Sequence, residues 1–298
     1  MPITPISSKT FKHKRFKRYD SYAFAAKDVV VPLVMRELVR ASVAMPIAFA
    51  RIEDCLVPVA IQGFEGSGNL FVTTDGRWIG RYVPSVYRGY PFSLANDGQG
   101  RELLCFDDSS GLLVEEGGEP FFTDGGKPTR GLNDVLNFLT QVASNRRLTE
   151  KVCALLHEQG LLEPWPIKFE ERQQEQTGGQ QAHVPFEPQQ LAEEPTQEIL
   201  PERPEKAFTY QLSEMFRVNE TAFAQLGKDE VHALHQAGAL AVIYCQLMSI
   251  QHLPAMVKLA QAHRSAQQKA ALPKNEAGEL DLSFLADDTT ISFEDFQD

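Results

Sequence analysis

The chain has 298 residues, 43% of them hydrophobic, so it can bury a real core as one large domain or two smaller ones. Its net charge of −11 is localised: residues 276–298 carry eight acids and no Lys or Arg, residues 170–205 carry nine acids against Arg172 and Arg203, and the remainder sums to +4, so the acidity belongs to two polar segments and is not a field that repels nucleic acid, though no nucleic-acid partner is expected. Four scattered cysteines without a CxxC pair, no secretory signal, and apolar runs (29–35 and 237–245) well short of the roughly 18 to 20 residues of a membrane helix lead us to expect a reduced, cytoplasmic protein with no membrane insertion.

Residues 1–10 read as unstructured and residues 11–26 as extended, with the five cations of 12–18 forming a solvated arm around His13 and Phe16. Leu33, Val34, Leu38 and Ala41 recur at helical spacing, with Arg36, Glu37 and Arg40 elsewhere, so residues 32–41 predict an amphipathic helix with Pro32 in its first turn. Residues 47–52 and 56–61 are short apolar runs of buried-strand type. Residues 69–79 alternate around Asp75-Gly76, which predicts a tight hairpin with positive φ at both central positions. Further short strands are expected at 102–106, 112–114 and 120–125. From Thr129 the period turns helical: Leu132, Val135, Leu136, Leu139 and Val142 share one face. Thr149 can cap a second helix carrying Val152, Leu155 and Leu156 and ended by Gly160, giving two antiparallel helices.

Seven glutamines with Gly178 and Gly179 in residues 171–190 leave too little apolar surface to offset ordering. The predicted organisation is therefore an α+β core over 1–169, a mobile linker rich in Gln, Glu and Pro over 170–205, a helical segment over 206–265 that packs back on the core, and an acidic, disordered tail over 266–298. The expected fold class is α+β: a mixed, mainly antiparallel sheet from about residues 15 to 125, covered by helices from both ends of the sequence.

Residues 76–92 concentrate Arg77, Trp78, Arg81, Tyr82, Tyr87, Arg88 and Tyr90 between glycines and prolines. A guanidinium forks toward carboxylates and phosphates and stacks on rings, so these seven residues suit a wall that holds a peptide carboxylate or another anionic group. The competing reading makes the rings core residues and spends the arginines on the fold's own carbonyls and acids. His232 and His235, with His252 and Cys245 downstream, could converge on a metal, but His-x-x-His recurs by chance and suits the polar face of a short helix, so no cofactor is expected. Asp75, Asp107, Asp108 and Asp124 sit where turns favour aspartate. Leu280, Phe284, Phe293 and Phe296 among the acids of the tail form the pattern of a segment that folds against a basic, apolar groove, so a peptide or protein partner is expected.

Several blocks resemble the bacterial SapC family in order along the chain. They are Val31-Pro32-Leu33 to Pro46-Ile47-Ala48-Phe49, then Asp75-Gly76-Arg77-Trp78 with Tyr82-Val83-Pro84 and Arg88-Gly89-Tyr90-Pro91-Phe92, then Glu119-Pro120-Phe121-Phe122-Thr123-Asp124-Gly125, and finally Gly238-Ala239-Leu240 with Leu247-Met248-Ser249. The resemblance covers most of residues 15–260 and concerns the surface-layer-associated family, not the transporter permease of the same name. It implies a bacterial protein linked to surface-layer or outer-membrane protein systems, since relatives lie beside genes for TonB-dependent receptors, tryptophan halogenases and cupin-like dioxygenases. It assigns no catalytic role to any residue. Two functions stay open: an accessory protein that binds a peptide or anion at the arginine wall, and an enzyme acting on a peptide or small anionic substrate there, with a metal-dependent form through the histidines.

Overall fold

The computed structural model describes residues 3–170 and 209–271. Residues 3–11 are ordered, contrary to expectation. β1 (Ile3–Pro5) satisfies its backbone by pairing with a later strand, and the Ser7 hydroxyl accepts the Thr10 N–H to cap α1 (Ser8–Phe11), which drops Phe11 into the core. Next come β2 (Arg15–Phe16), β3 (Val30–Pro32), α2 (Met35–Ser42), β4 (Ile47–Ile52) and β5 (Cys55–Ile61). They are followed by α3 (Ser85–Arg88), β6 (Phe92–Asn96), β7 (Glu102–Asp107), β8 (Leu113–Val114), β9 (Glu119–Pro120) and α4 (Arg130–Glu158). β10 (Leu162–Pro164) and β11 (Ile167–Glu170) precede residue 171, and β12 (Thr209–Leu212), β13 (Met215–Val218), α5 (Glu220–Ala224), α6 (Lys228–Gln236), α7 (Ala239–Ser249) and α8 (Leu253–Ala271) complete the described chain.

The fold is α+β, and every pairing between these strands is antiparallel. The main sheet has the order β10-β13-β4-β5-β3. It extends beyond residues 15–125, because β10 and β13 join it, so the segment after residue 208 opens with two strands before its helices. β4 and β5 read as continuous apolar runs because α4 packs on β5 and α7 on β4 and β13, leaving Phe49, Val59 and Ile61 fully buried. Pro32 lies in the edge strand β3 and not in a helix, which begins only at Met35; an edge is where a residue without an N–H costs no ladder bond. A second, smaller core gathers Phe11, Phe16, Phe92, Phe106 and Phe121 with Leu132 beneath the two three-stranded sheets.

The expected helix pair over 129–160 is one helix, α4, of 29 residues and about 44 Å. It spans both cores, with Leu132 in the phenylalanine cluster and Val152, Cys153 and Leu156 in the larger one. The polar residues that looked like a break have another task. The Asn145 side-chain oxygen accepts the Arg36 N–H (2.9 Å) and the Thr149 hydroxyl accepts the Met35 N–H (2.9 Å) while donating to the Asn145 carbonyl (2.7 Å). Two orphan donors at the start of α2 are thus capped by a different helix, since Val34 has no side-chain acceptor to offer.

Residues 72–78 close by a three-residue loop and not by a two-residue turn. Gly76 N–H donates to the Thr73 carbonyl (2.9 Å) and Thr73 N–H to the Arg77 carbonyl (2.9 Å), so only Gly76 adopts positive φ, at +79°. The strands shrink to a single bridge between Val72 and Trp78. Residues 122–128 repeat this clasp around Thr123 and Gly126, again ahead of a helix.

α7 is joined to the sheet by its only buried polar side chains. Gln246 accepts the Val218 N–H (3.1 Å) and donates to the Ile47 carbonyl (3.3 Å), and the Ser249 hydroxyl accepts the Ile47 N–H (2.9 Å). A 3-10 turn at Ile250–His252 links α7 to α8, which continues as helix to Ala271, past the point where a disordered tail was expected. The combined stretch Ala239–Gln267 is long and apolar enough to cross a membrane by length and composition alone, with 39% of its most apolar window buried inside the protein.

Candidate functional site

The site grows from one acid. Glu37 lies on an amphipathic helix where its charge reads as solvated, yet its side chain is only 4% exposed. Its Oε1 accepts the Val34 N–H (2.9 Å) and the Ser85 hydroxyl (2.8 Å), and its Oε2 accepts the Tyr82 hydroxyl (2.7 Å) and the Ser85 N–H (2.8 Å). Four donors fill about the four lone-pair positions a carboxylate has. They come from the start of α2 and from the turn that leads into α3, so the acid pins residues 82–88 to α2.

Arg88 leans on this knot. Its Nη2 donates to the Tyr82 oxygen (3.2 Å) and stands 3.9 Å from Glu37 Oε2, while its guanidinium lies over the rings of Phe138 (5.2 Å) and Tyr82 (5.8 Å). Arg88 is 42% exposed, so the ion pair contributes at most about 1 kcal/mol. Burial, then the hydrogen bond to Glu37, raise the Tyr82 pKa, which keeps this hydroxyl a donor to the acid at neutral pH.

Beside this knot lies a hollow of about 130 Å³ lined by Arg36, Arg40, Arg88, Tyr82, Phe138 and Asn145, among others. Arg36 and Arg40 stand one turn apart on α2, and both are exposed. Neither guanidinium has an acid or a hydrogen-bond acceptor among the described residues. Three cations therefore face one hollow whose single acid is already saturated. Like charges one turn apart cost a helix a few tenths of a kcal/mol, a cost that an incoming anion relieves.

Of the seven residues singled out in 76–92, the fold brings Tyr82 and Arg88 into this hollow. Tyr90 stacks on Phe24 (3.8 Å) and lines a second hollow on the other side of Arg88, with Lys17, Arg18 and Tyr19. Trp78 stacks on Phe71 and donates to the Tyr82 carbonyl (3.1 Å), and Tyr87 is buried with its hydroxyl against Asp28 (2.9 Å) and Gln62 (2.6 Å), so both serve as packing. Arg77 pairs with Asp75 (2.6 Å) at the loop tip, and Arg81 points to solvent outside both hollows. Sequence reasoning missed Glu37, Ser85 and the pair Arg36 and Arg40. The available signal was two arginines at helical i, i+4 spacing with no acid at i±4 to balance them.

His232 and His235 are exposed on α6, and His252 is engaged with the Ser42 carbonyl (3.0 Å) on another part of the fold. Among the described residues no group of three or more His, Cys, Asp or Glu is placed to hold a metal. Asp107 and Asp75 serve their turns, Asp107 accepting from the Ser109 N–H (3.0 Å) and Asp75 from Thr73, while Asp108 accepts from Thr4 of β1. The linker beyond residue 170 and the tail residues Leu280, Phe284, Phe293 and Phe296 lie outside the described residues.

The family model described as SapC matches residues 6–256, which takes in the whole of the hollow and its supporting elements. No curated protein and no solved structure matches the chain.

Proposed function

The chain belongs to the SapC family, and on that premise we propose that it is a binding protein whose hollow between α2, α3 and α4 captures the carboxylate of a peptide. The observation that carries the reading is the pair Arg36 and Arg40, held with Arg88 around one hollow and left without an acid partner among the described residues. Guanidiniums fork onto carboxylates, and Tyr82 and Phe138 supply ring surface for the atoms behind the charge. A binding protein is preferred to an enzyme because Glu37, the acid at the hollow, already accepts four hydrogen bonds and has no free position for a proton from a substrate. An accessory role beside cell-surface or outer-membrane proteins is part of the same reading and rests on what the family resemblance implies, while its cytoplasmic setting rests on the scattered cysteines without a CxxC pair.

The test uses a randomised hexapeptide library presented in two forms, one ending in a free carboxylate and one amidated, captured by the purified full-length protein. The free-acid form is expected to be retained and the amidated form released. In a folded Arg36→Gln/Arg40→Gln variant, loss of one charge-assisted contact per arginine, about 1 kcal/mol each at an exposed rim, weakens retention roughly tenfold to thirtyfold. Equal retention of both forms, or unchanged retention by the double variant, overturns the reading.

A further inference from the structure

Four large apolar side chains are left uncovered where α2 meets α7: Val39 (65% exposed), Val43 (65%), Tyr244 (52%) and Met248 (63%). Val39 lies on α2 and Val43 one turn further on, at the residue that closes the helix, and Tyr244 and Met248 lie one turn apart on α7. The two helices pack against each other and bury Ser42 of α2 and Cys245 of α7. At 100° per residue, Val39 and Val43 sit between Ser42 and the arginines Arg36 and Arg40 around α2. Met248 and Tyr244 follow Cys245 outward around α7. The four side chains therefore form the walls of one shallow apolar groove, with Arg36 and Arg40, which have no acid partner among the described residues, along its α2 edge.

We propose that this groove is covered by the chain's own C-terminal segment, residues 280–296, with its acids meeting Arg36 and Arg40. The chemistry is complementary term by term. Leu280, Leu282, Phe284, Leu285, Ile291, Phe293 and Phe296 supply apolar surface, and residues 276–298 supply eight acids and no Lys or Arg. Reach does not limit it. The thirteen residues from 272 to 284 span up to about 43 Å, against a radius of gyration of about 17 Å for a fold of the described size. Tethering sets an effective concentration on the order of 1 mM, so an intrinsic dissociation constant of about 0.1 mM keeps the groove about nine-tenths covered. Docking is independent of what the hollow binds. Only one corollary rests on the binding reading: because Arg36 and Arg40 are shared, the segment competes with an anionic ligand.

The experiment compares hydrogen exchange in the full-length chain with that in full-length Phe284→Ser/Phe293→Ser/Phe296→Ser, which alters no residue of the described fold. Removing the cover is expected to speed exchange about tenfold in α2 and α7 and to leave β4 and β5 unchanged. Val43→Asp, at a solvent-facing position, is expected to abolish the difference between the two tail forms. Identical exchange of α2 and α7 in the two chains overturns the proposal. So does protection that disappears on dilution together with a dimer mass, because the groove is then covered by a second copy. The same tail variant still distinguishes free-acid from amidated peptides if the hollow binds carboxylates, so failure of one reading is separable from failure of the other.

Discussion

Glu37→Gln probes the knot on which the hollow is built. The substitution keeps shape but turns one oxygen into an amide NH₂, so whichever way the amide points, a backbone donor, Val34 N–H or Ser85 N–H, loses its acceptor. The Tyr82 and Ser85 hydroxyls can rotate; the two backbone groups cannot. One buried orphan donor costs about 1–3 kcal/mol, and loss of charge from the remaining bonds adds about as much again, which sums to roughly 2–5 kcal/mol. At about 2–4 °C per kcal/mol for a fold of this size, the melting temperature drops by roughly 4–20 °C. Urea unfolding followed by circular dichroism, with calorimetry alongside, reads both quantities. Arg88→Ala serves as the comparison and is expected to cost about 1 kcal/mol or less, because that guanidinium is 42% exposed and 3.9 Å from the acid. If Glu37→Gln unfolds within about 1 kcal/mol of the wild type, the knot does not hold residues 82–88 in place.

Two further outcomes follow from the same geometry. Thr149→Val and Asn145→Ala each strip one cap from the start of α2 and are expected to cost about 1–2 kcal/mol apiece in urea unfolding; a neutral Thr149→Val would mean that α2 does not depend on α4 for its first donors. On the alkaline side, burial pushes the pKa of Tyr19 up to about 12 and raises those of Tyr82, Tyr87 and Tyr90. Each holds its proton more tightly folded than unfolded, so the unfolded chain deprotonates first and stability falls as pH rises above about 10. Phenolate absorbance of these four residues is expected to appear together with loss of circular dichroism, and seven tyrosines titrating near pH 10 in an intact fold would contradict it.

Residues 47–52, 55–61 and 239–249 were legible because apolar runs bounded by turns carry their own evidence of burial. α4 was not, because Asn145 and Thr149 look like a helix boundary in one dimension and act as caps for another helix in three. Glu37 escaped for a related reason. Its burial depends on Ser85 and Tyr82 arriving from about 45 residues away, and nothing in the local pattern of α2 distinguishes it from its solvated neighbours. The arginine and tyrosine stretch was recognised as unusual, but its members divide by the side of the turn they occupy. Trp78 and Tyr87 face the sheet, Arg77 and Arg81 face solvent, and only Tyr82 and Arg88 face α2.

The most direct measurement of whether this hollow receives an anionic group is the ¹⁵Nε–Hε spectrum of the arginine side chains during titration with acetate and then with a carboxylate-ended peptide from the library. Saturable shifts at Arg36, Arg40 and Arg88, with Arg77 and Arg81 still, are the expected result. Shifts of equal size at all five arginines, or none at the first three, would contradict it.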